Sequence, residues 1–339
     1  MRGGVVVFAV LFSVGGCTDP ASPVRTPEPL LEVVSTSSWA VEILPPLGAY
    51  ELNAYAVSSN GIVAGLAQMG LQQSAFIRRP GSVPELLPSL PGDVRAWAKG
   101  VNSEGQAIGY SNDDLLSGES RAVFWRVNGA VEPIPVPNGD VDAINDAGWV
   151  VGGARLHPGS NIQRAYRWKR GRPSETLPGL SGSTLDLAFD INNRGFIAGV
   201  SGDHPVTWRP DGRIRDLKLP EGAISGTAVA INEGNQVAIN VRMANGRLRS
   251  LRWTPGGGYR FLPLPPGATL SFVHSIDDQG NIYGLAPGTF FGWANLAVWV
   301  GLTPMPVATT VSFAGRLESA EGCGYAVGDN LLFKNAACP

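Results

Sequence analysis

Apolar residues along this chain come in short runs cut by Gly, Asn, Asp and Pro, and one arrangement keeps returning. Its clearest copy is Ala188-Phe189-Asp190-Ile191-Asn192-Asn193-Arg194-Gly195-Phe196-Ile197-Ala198-Gly199. An apolar stretch, an Asn-x-x-Gly corner and a second apolar stretch predict strand, tight turn and strand. Further copies stand at Ala56–Gly65, Gly100–Gly109, Ala143–Gly152, Ala230–Ile239, Ser275–Gly284 and Ala320–Gly328. The turn residues Gly61, Gly105, Gly148, Gly195, Asn235, Gly280 and Gly324 are 44, 43, 47, 40, 45 and 44 residues apart. Gly, Pro and β-branched residues crowd every window and no helical period is sustained, so helical repeats are excluded. A period of this size built from strands predicts propeller blades.

Two more signatures complete each unit. A third apolar strand ends in a large ring or its equivalent, as in Val123-Phe124-Trp125, Tyr166-Arg167-Trp168, Val206-Thr207-Trp208, Leu251-Arg252-Trp253 and Ala297-Val298-Trp299. A fourth strand then closes on Leu-Pro or its like, and one such strand, at Ile43–Gly48, precedes unit 1. Unit 7 has a first hairpin and a third strand, Leu331-Leu332-Phe333, but no fourth strand after them. The fold class expected is therefore all-β: a seven-bladed β-propeller of four-stranded blades, with Ala40–Pro46 closing the last one and removing an exposed edge. Six blades with a stray C-terminal hairpin is the alternative.

Small residues mark the first strands: Ala54, Ala98, Val141, Ala188, Ala228 and Val273. They suit a crowded propeller centre. The Trp positions are expected to wedge between blades, and the Asn positions (Asn102, Asn145, Asn192, Asn232, with Ser58 and Asp277) to bond their own backbone two residues on. Between these uniform columns lies a variable one: Tyr55, Lys99, Asp142, Phe189, Val229 and His274. Variation at one level of the inner strands predicts side chains at the channel mouth.

The chain carries 26 Lys and Arg against 28 Asp and Glu, a net charge of −2, so no basic surplus supports nucleic-acid binding. The N-terminus changes the picture more. Arg2, the apolar Val5–Val14 and the small pair Gly15-Gly16 form a targeting segment at 1–16, with an apolar run too short to span a bilayer. Val14-Gly15-Gly16-Cys17 resembles the lipobox of bacterial lipoproteins. That resemblance implies cleavage before Cys17 and its lipidation. Residues 17–38, rich in Pro, Ser and Thr, read as a tether to a single domain at 39–339. The expected location is extracytoplasmic, on a membrane of the cell envelope. With Cys17 lipidated, Cys323 and Cys338 remain and are expected to form a disulfide.

The Ala-Phe-x-Trp strand, the Ile-Asn-x-x-Gly corner and the Val-x-Gly end together resemble the HAF repeats of secreted bacterial proteins over roughly residues 40–333. The name-giving His-Ala-Phe is poorly kept, as Ser74-Ala75-Phe76 and His204-Pro205-Val206 show. That family is defined by its repeat, so the resemblance implies no catalytic residue.

No nucleophile elbow, zinc-binding helix motif or phosphate loop appears, and no metal or cofactor is expected. The candidate ligand-binding residues, at the channel mouth and on the loops opposite the corners, are Lys99, Asp142, His157, His204, His274, Phe290 and Trp293. The leading expectation is a monomeric binding or scaffolding module, held to the membrane by lipid, whose outward loop face meets a glycan or an envelope protein. A hydrolase or lyase acting on glycans or glycopeptides at the channel mouth is the enzyme alternative, and a structural envelope protein the third. The turns after each third strand carry Arg78, Arg79, Arg126, Lys169, Arg170, Arg172, Arg209 and Arg213, a basic cluster expected to face the membrane.

Overall fold

The computed structural model describes residues 39–113, 120–136, 139–157, 159–265, 267–286, 296–300, 303–306, 319–321, 325–328 and 331–335. Every element among them is a β-strand. Strands consecutive in sequence pair antiparallel into four-stranded sheets, one to a repeat unit. Unit 1 comprises Glu51–Val57, Val63–Met69, Gln72–Arg78 and Glu85–Leu87; unit 2 comprises Arg95–Val101, Ala107–Asn112, Arg121–Trp125 and Val131–Pro133. The sheet of unit 7 contains the N-terminal strand Trp39–Ile43, paired with Leu331–Asn335 in the register Trp39↔Asn335 to Ile43↔Leu331. Cys17, Cys323, Cys338, Phe290 and Trp293 lie outside the described residues.

The apolar cores lie between sheets. Ala64 and Ile77 of unit 1 pack with Ala98 and Trp125 of unit 2, and Ala198 of unit 4 packs with Trp253 of unit 5. Trp125, Trp208 and Trp299 are fully buried, and each indole N–H donates to a Pro carbonyl of the preceding unit: Pro88 at 2.7 Å, Pro178 at 2.7 Å and Pro263 at 2.8 Å. The Leu-Pro signature and the Trp signature are thus the two halves of one joint.

The variable column has a local cause. In units 1, 2, 4, 5 and 6 the strand register slips between Ala54 and Ala56, Ala98 and Gly100, Ala188 and Asp190, Ala228 and Ala230, and Val273 and Ser275. Tyr55, Lys99, Phe189, Val229 and His274 are the extra residues of these β-bulges. A bulge re-aims its extra side chain, so these side chains escape the packing that buries the Ala or Val before each. The bulge also explains the Val-x-Gly end. A Cβ on Gly65, Gly109 or Gly199 would stand 2.0–2.1 Å from the carbonyl oxygen of Asn53, Trp97 or Leu187.

The corners bind unit to unit, which corrects the local role expected for Asn. Each Asn carbonyl accepts an N–H four residues on, not two: Gln106 to Asn102, Trp149 to Asn145, Phe196 to Asn192 and Gln236 to Asn232, at 2.9–3.0 Å. Each Asn amide then donates to the next corner: Asn102 to Asn145 O, Asn145 to Asn192 O, Asn192 to Asn232 O and Asn232 to Asp277 O, at 2.8–3.0 Å. A second ladder runs beside it, from the N–H of Ser103, Asp146, Asn193 and Glu233 to the side chains of Asp146, Asn193, Glu233 and Asp278. Ser58 is too short to reach unit 2, and Asn60 does so instead, donating to Ser103 O at 2.8 Å.

The basic cluster is partly neutralised. Arg78 pairs with Glu42, Arg79 with Glu85, and Arg126 and Arg170 share Glu132. Arg213 lies 3.8 Å from Asp211, and Lys169, Arg172 and Arg209 make no ion pair among the described residues.

Asp190 replaces the small residues found at its place in other units and clamps units 4 and 5. Its carboxylate accepts the N–H of Ile191 at 2.8 Å and of Ile231 at 2.7 Å. Burial, opposed by these two bonds and reinforced by Glu233, pushes its pKa up to about 6 from the ordinary 3.8. A carboxyl raised in the folded state favours folding when protonated, so its contribution is full below about 3.8 and is lost as pH rises through 6. The difference amounts to about 3 kcal/mol at most. Asp190→Ala is expected to flatten the fall in stability between pH 4 and 7 relative to the parent, read by urea melts at each pH. Parallel curves would show that Asp190 does not titrate in this window.

Candidate functional site

The spacing of the corners hides one irregular junction. Fifteen residues separate Leu87 from Asn102, Leu177 from Asn192, Leu217 from Asn232 and Leu262 from Asp277, but only eleven separate Ile134 from Asn145. Unit 3 therefore starts late. Its first strand is only Ala143–Ile144, against Arg95–Val101 in unit 2 and Asp186–Ile191 in unit 4.

The N–H groups of Asp140 and Asp142 still reach Gly153 O at 2.7 Å and Val151 O at 2.9 Å, and two phenols brace this stretch. The Tyr110 hydroxyl accepts the N–H of Val141 at 3.1 Å and lies 3.3 Å from both Asp140 Oδ1 and Val141 O, to which it donates. The Tyr166 hydroxyl donates to Asp140 O at 2.9 Å. Burial first, then the Asp140 and Asp142 carboxylates, raise the Tyr110 phenol far above its ordinary value; burial, Asp142 and Tyr110 itself do the same for Tyr166. Both remain neutral hydrogen-bonding groups at any physiological pH.

A groove of about 640 Å³ opens between units 2 and 3, at the end of the sheets opposite the Asn corners. Trp97 and Tyr110 form one wall, their rings 5.3 Å apart and tilted by 31°. Pro133, Pro135, Arg121, Asp140, Arg155 and Gln163 also line it. Arg121 is held by the fully buried carboxylate of Asp93, and Arg155 donates through Nη1 to Ser160 O at 2.9 Å. The Ile134-Pro135-Val136 segment makes a tight turn here, with Val136 N–H donating to Ile134 O at 2.7 Å. The Trp168 indole N–H, whose counterparts in units 2, 4 and 6 reach a Pro carbonyl, has no acceptor among the described residues.

At the same junction the bulge residue Lys99 reaches Asp142 of unit 3, Nζ to Oδ1 2.5 Å. Burial raises the Asp142 carboxyl, opposed by Lys99. Among the anticipated residues, then, Lys99 and Asp142 are brought together, next to a groove that neither lines. His204 is engaged elsewhere, on the outer strands of unit 4, with Nδ1 3.2 Å from Asp216 Oδ1. Burial raises the Asp216 carboxyl, but bonds from Lys218 and His204 outweigh it and hold the group below its ordinary value. His157 is exposed on the loop after Trp149–Arg155. His274 stacks edge-on against Phe272 at 5.0 Å in unit 6.

Trp97, Tyr110, Arg121, Asp140 and Arg155 were not anticipated. The signal for them was the short Ile134–Asn145 spacing, together with prolines at 133, 135 and 137.

Comparison with solved structures shows the fold class. Virginiamycin B lyase from Staphylococcus aureus superposes with a TM-score of 0.55 at 12% identity, covering 87% of this chain and 98% of the lyase. The fold is a β-propeller. YCF48 bound to D1 peptide matches equally well, with a TM-score of 0.55, 13% identity and coverage of 90% of this chain and 98% of YCF48. A prolyl endopeptidase reaches a TM-score of 0.58 at 11% identity, over 79% of this chain but 43% of the enzyme. At these identities the likeness concerns the fold alone. No protein-family model and no curated protein sequence matches the chain.

Proposed function

We propose that this propeller has seven blades, is closed by its N-terminal strand, and acts as a binding module displayed outside the cytoplasm on a lipid attached to Cys17. Three features support the ring. The described strands form seven four-stranded sheets. The inner strand of each unit neighbours that of the next, and Ser319–Glu321 of unit 7 neighbours both Phe272–Ile276 of unit 6 and Glu51–Val57 of unit 1. Trp39–Ile43 belongs to the sheet of unit 7 while the residues just after it, Leu44 and Leu47, pack against unit 1. The resemblance of the repeat to the HAF pattern agrees with this reading, and the lipobox-like Val14-Gly15-Gly16-Cys17 supports the anchor.

The observation that carries the function is the groove between units 2 and 3. Loops and mouths held by a rigid scaffold are where propeller-type domains place their ligands. Here the scaffold departs from its own repeat only to open space beside an aromatic pair and two guanidinium groups. YCF48, a propeller of similar extent, has been solved with a peptide, and virginiamycin B lyase with quinupristin. Both precedents fit ligand capture by such a domain.

A panel of envelope glycans and peptides tests the reading. Ligand binding is expected to weaken at least tenfold in Trp97→Ala and to survive Arg209→Ala and Arg213→Ala on the corner face; the reverse pattern would move the site. Cys17→Ala is expected to release the folded protein from membranes, and retention after high-salt washing would rule out the lipid anchor.

A further inference from the structure

We propose that the groove between units 2 and 3 takes an extended polypeptide segment, seating one aromatic or large apolar side chain against Trp97 and Tyr110 and its neighbouring carboxylate on Arg155. The inference rests on the groove being the ligand site.

The volume, about 640 Å³, suits a side chain or two with their backbone, not a folded domain. Capture by strand addition is closed off at the unit 2 edge. Its outer strand ends at Pro133, and Pro135 follows in the groove wall, so both places lack the N–H that a pairing strand needs. Recognition therefore falls to side chains.

An inventory of the lining shows which ones. The Tyr110 hydroxyl is spent on Val141 and Asp140. Arg121 is neutralised by Asp93, whose carboxylate is wholly buried. Arg155 differs from both. It is exposed, its Nη1 is fixed by Ser160 O at 2.9 Å, and it makes no ion pair among the described residues. A guanidinium has five N–H donors in a planar fork, so a carboxylate can be taken by the rest of Arg155 while Ser160 holds its orientation. The apolar part of the lining is the Trp97–Tyr110 wall and the exposed rings of Pro133 and Pro135, with the polar side chains of Ser120, Asp140 and Gln163 beside it. Aromatic and proline faces favour a ring or a long aliphatic chain between them. Val94 and Leu156, both more than half exposed, stand at the same end of units 2 and 3 and extend apolar contact along a bound chain.

Dye-labelled nonapeptides of Gly and Ser, carrying Trp-Glu, Trp-Gln, Ala-Glu or Ala-Gln at the centre, test this by anisotropy with the full chain. Trp-Glu is expected to bind at least tenfold more tightly than the other three. Arg155→Gln, an exposed change that leaves the fold intact, is expected to erase the Glu-over-Gln preference and keep the Trp-over-Ala preference. Trp97→Ala is expected to erase both. Equal binding of all four peptides, no binding, or a Glu preference that survives Arg155→Gln would overturn the proposal. Oligomers of N-acetylglucosamine serve as the competing probe. Their binding with Trp97→Ala sensitivity, peptides being ignored, would overturn the peptide and leave the groove standing. Peptide binding indifferent to Trp97→Ala would remove the groove itself.

Discussion

Excision of Trp39–Ile43 is expected to convert a cooperatively melting protein into an aggregating one. Five residues of this strand are paired with Leu331–Asn335, and removing them exposes a row of backbone donors and acceptors on the outermost strand of unit 7. An open, unprotected edge is a template for pairing with other chains. The strand also contributes across the seam. Glu42 pairs with Arg78 of unit 1, whose side chain is only 7% exposed. Breaking a buried pair by removing one partner costs about 3–5 kcal/mol, but Glu42 is half exposed and solvent screens the pair, so about 1–2 kcal/mol is the reasonable share. Lost strand pairing adds to this, and the melting temperature is expected to fall by about 10 °C or more. Scanning calorimetry with light scattering would read both effects. A shortened chain that melts cooperatively within about 2 °C of its parent would mean that the ring does not close through this strand. Glu42→Gln separates the two contributions, because it removes the charge and keeps the strand.

What could be read in the sequence is what repeats. Strand, corner and Trp positions recur because each unit solves the same packing problem, and Gly65, Gly109 and Gly199 recur because one bulge imposes the same close approach on each. The variable column was visible for the complementary reason, since bulge residues leave the packing that keeps their neighbours uniform. Two features were hidden. The interval from Gly105 to Gly148 is an ordinary 43 residues because the eight residues between Asn112 and Arg121 offset the four missing before Asn145. Measured from corner to corner, the groove disappears. The corner ladder was hidden because an Asn in a tight turn already has a sufficient local explanation. Its second partner lies 40–47 residues away, a distance indistinguishable from the repeat itself.

That second partner gives Asn192 a measurable role. Its carbonyl accepts the Phe196 N–H at 3.0 Å, as a local corner residue should, and its amide donates to Asn232 O at 2.9 Å and Asn235 Oδ1 at 2.8 Å in unit 5. Asn192 is buried, so Asn192→Ala leaves a buried N–H and a buried carbonyl unpaired, at about 1–3 kcal/mol each. The expected loss is about 3–5 kcal/mol in urea unfolding, which belongs to the short list of severe single changes. Asn192→Asp isolates the joint between units. Asp is a competent local corner residue, as Asp277 demonstrates by accepting the Asn281 N–H at 2.8 Å in unit 6. There, however, its other oxygen receives Asn281 Nδ2 and the Tyr283 hydroxyl. At position 192 the second oxygen would face the Asn232 carbonyl; Asn235 can turn its amide to donate, but a main-chain carbonyl cannot. Burial and that carbonyl would raise the new carboxyl above its unfolded value. The deficit should then be full above the raised value and shrink as pH falls, because the protonated acid can donate to Asn232 O. Asn192→Asp is expected to be destabilised by about 3 kcal/mol at pH 7.5, recovering toward pH 5. A variant within about 1 kcal/mol of its parent at pH 7.5 would return Asn192 to a purely local corner and leave the blades joined by their cores alone.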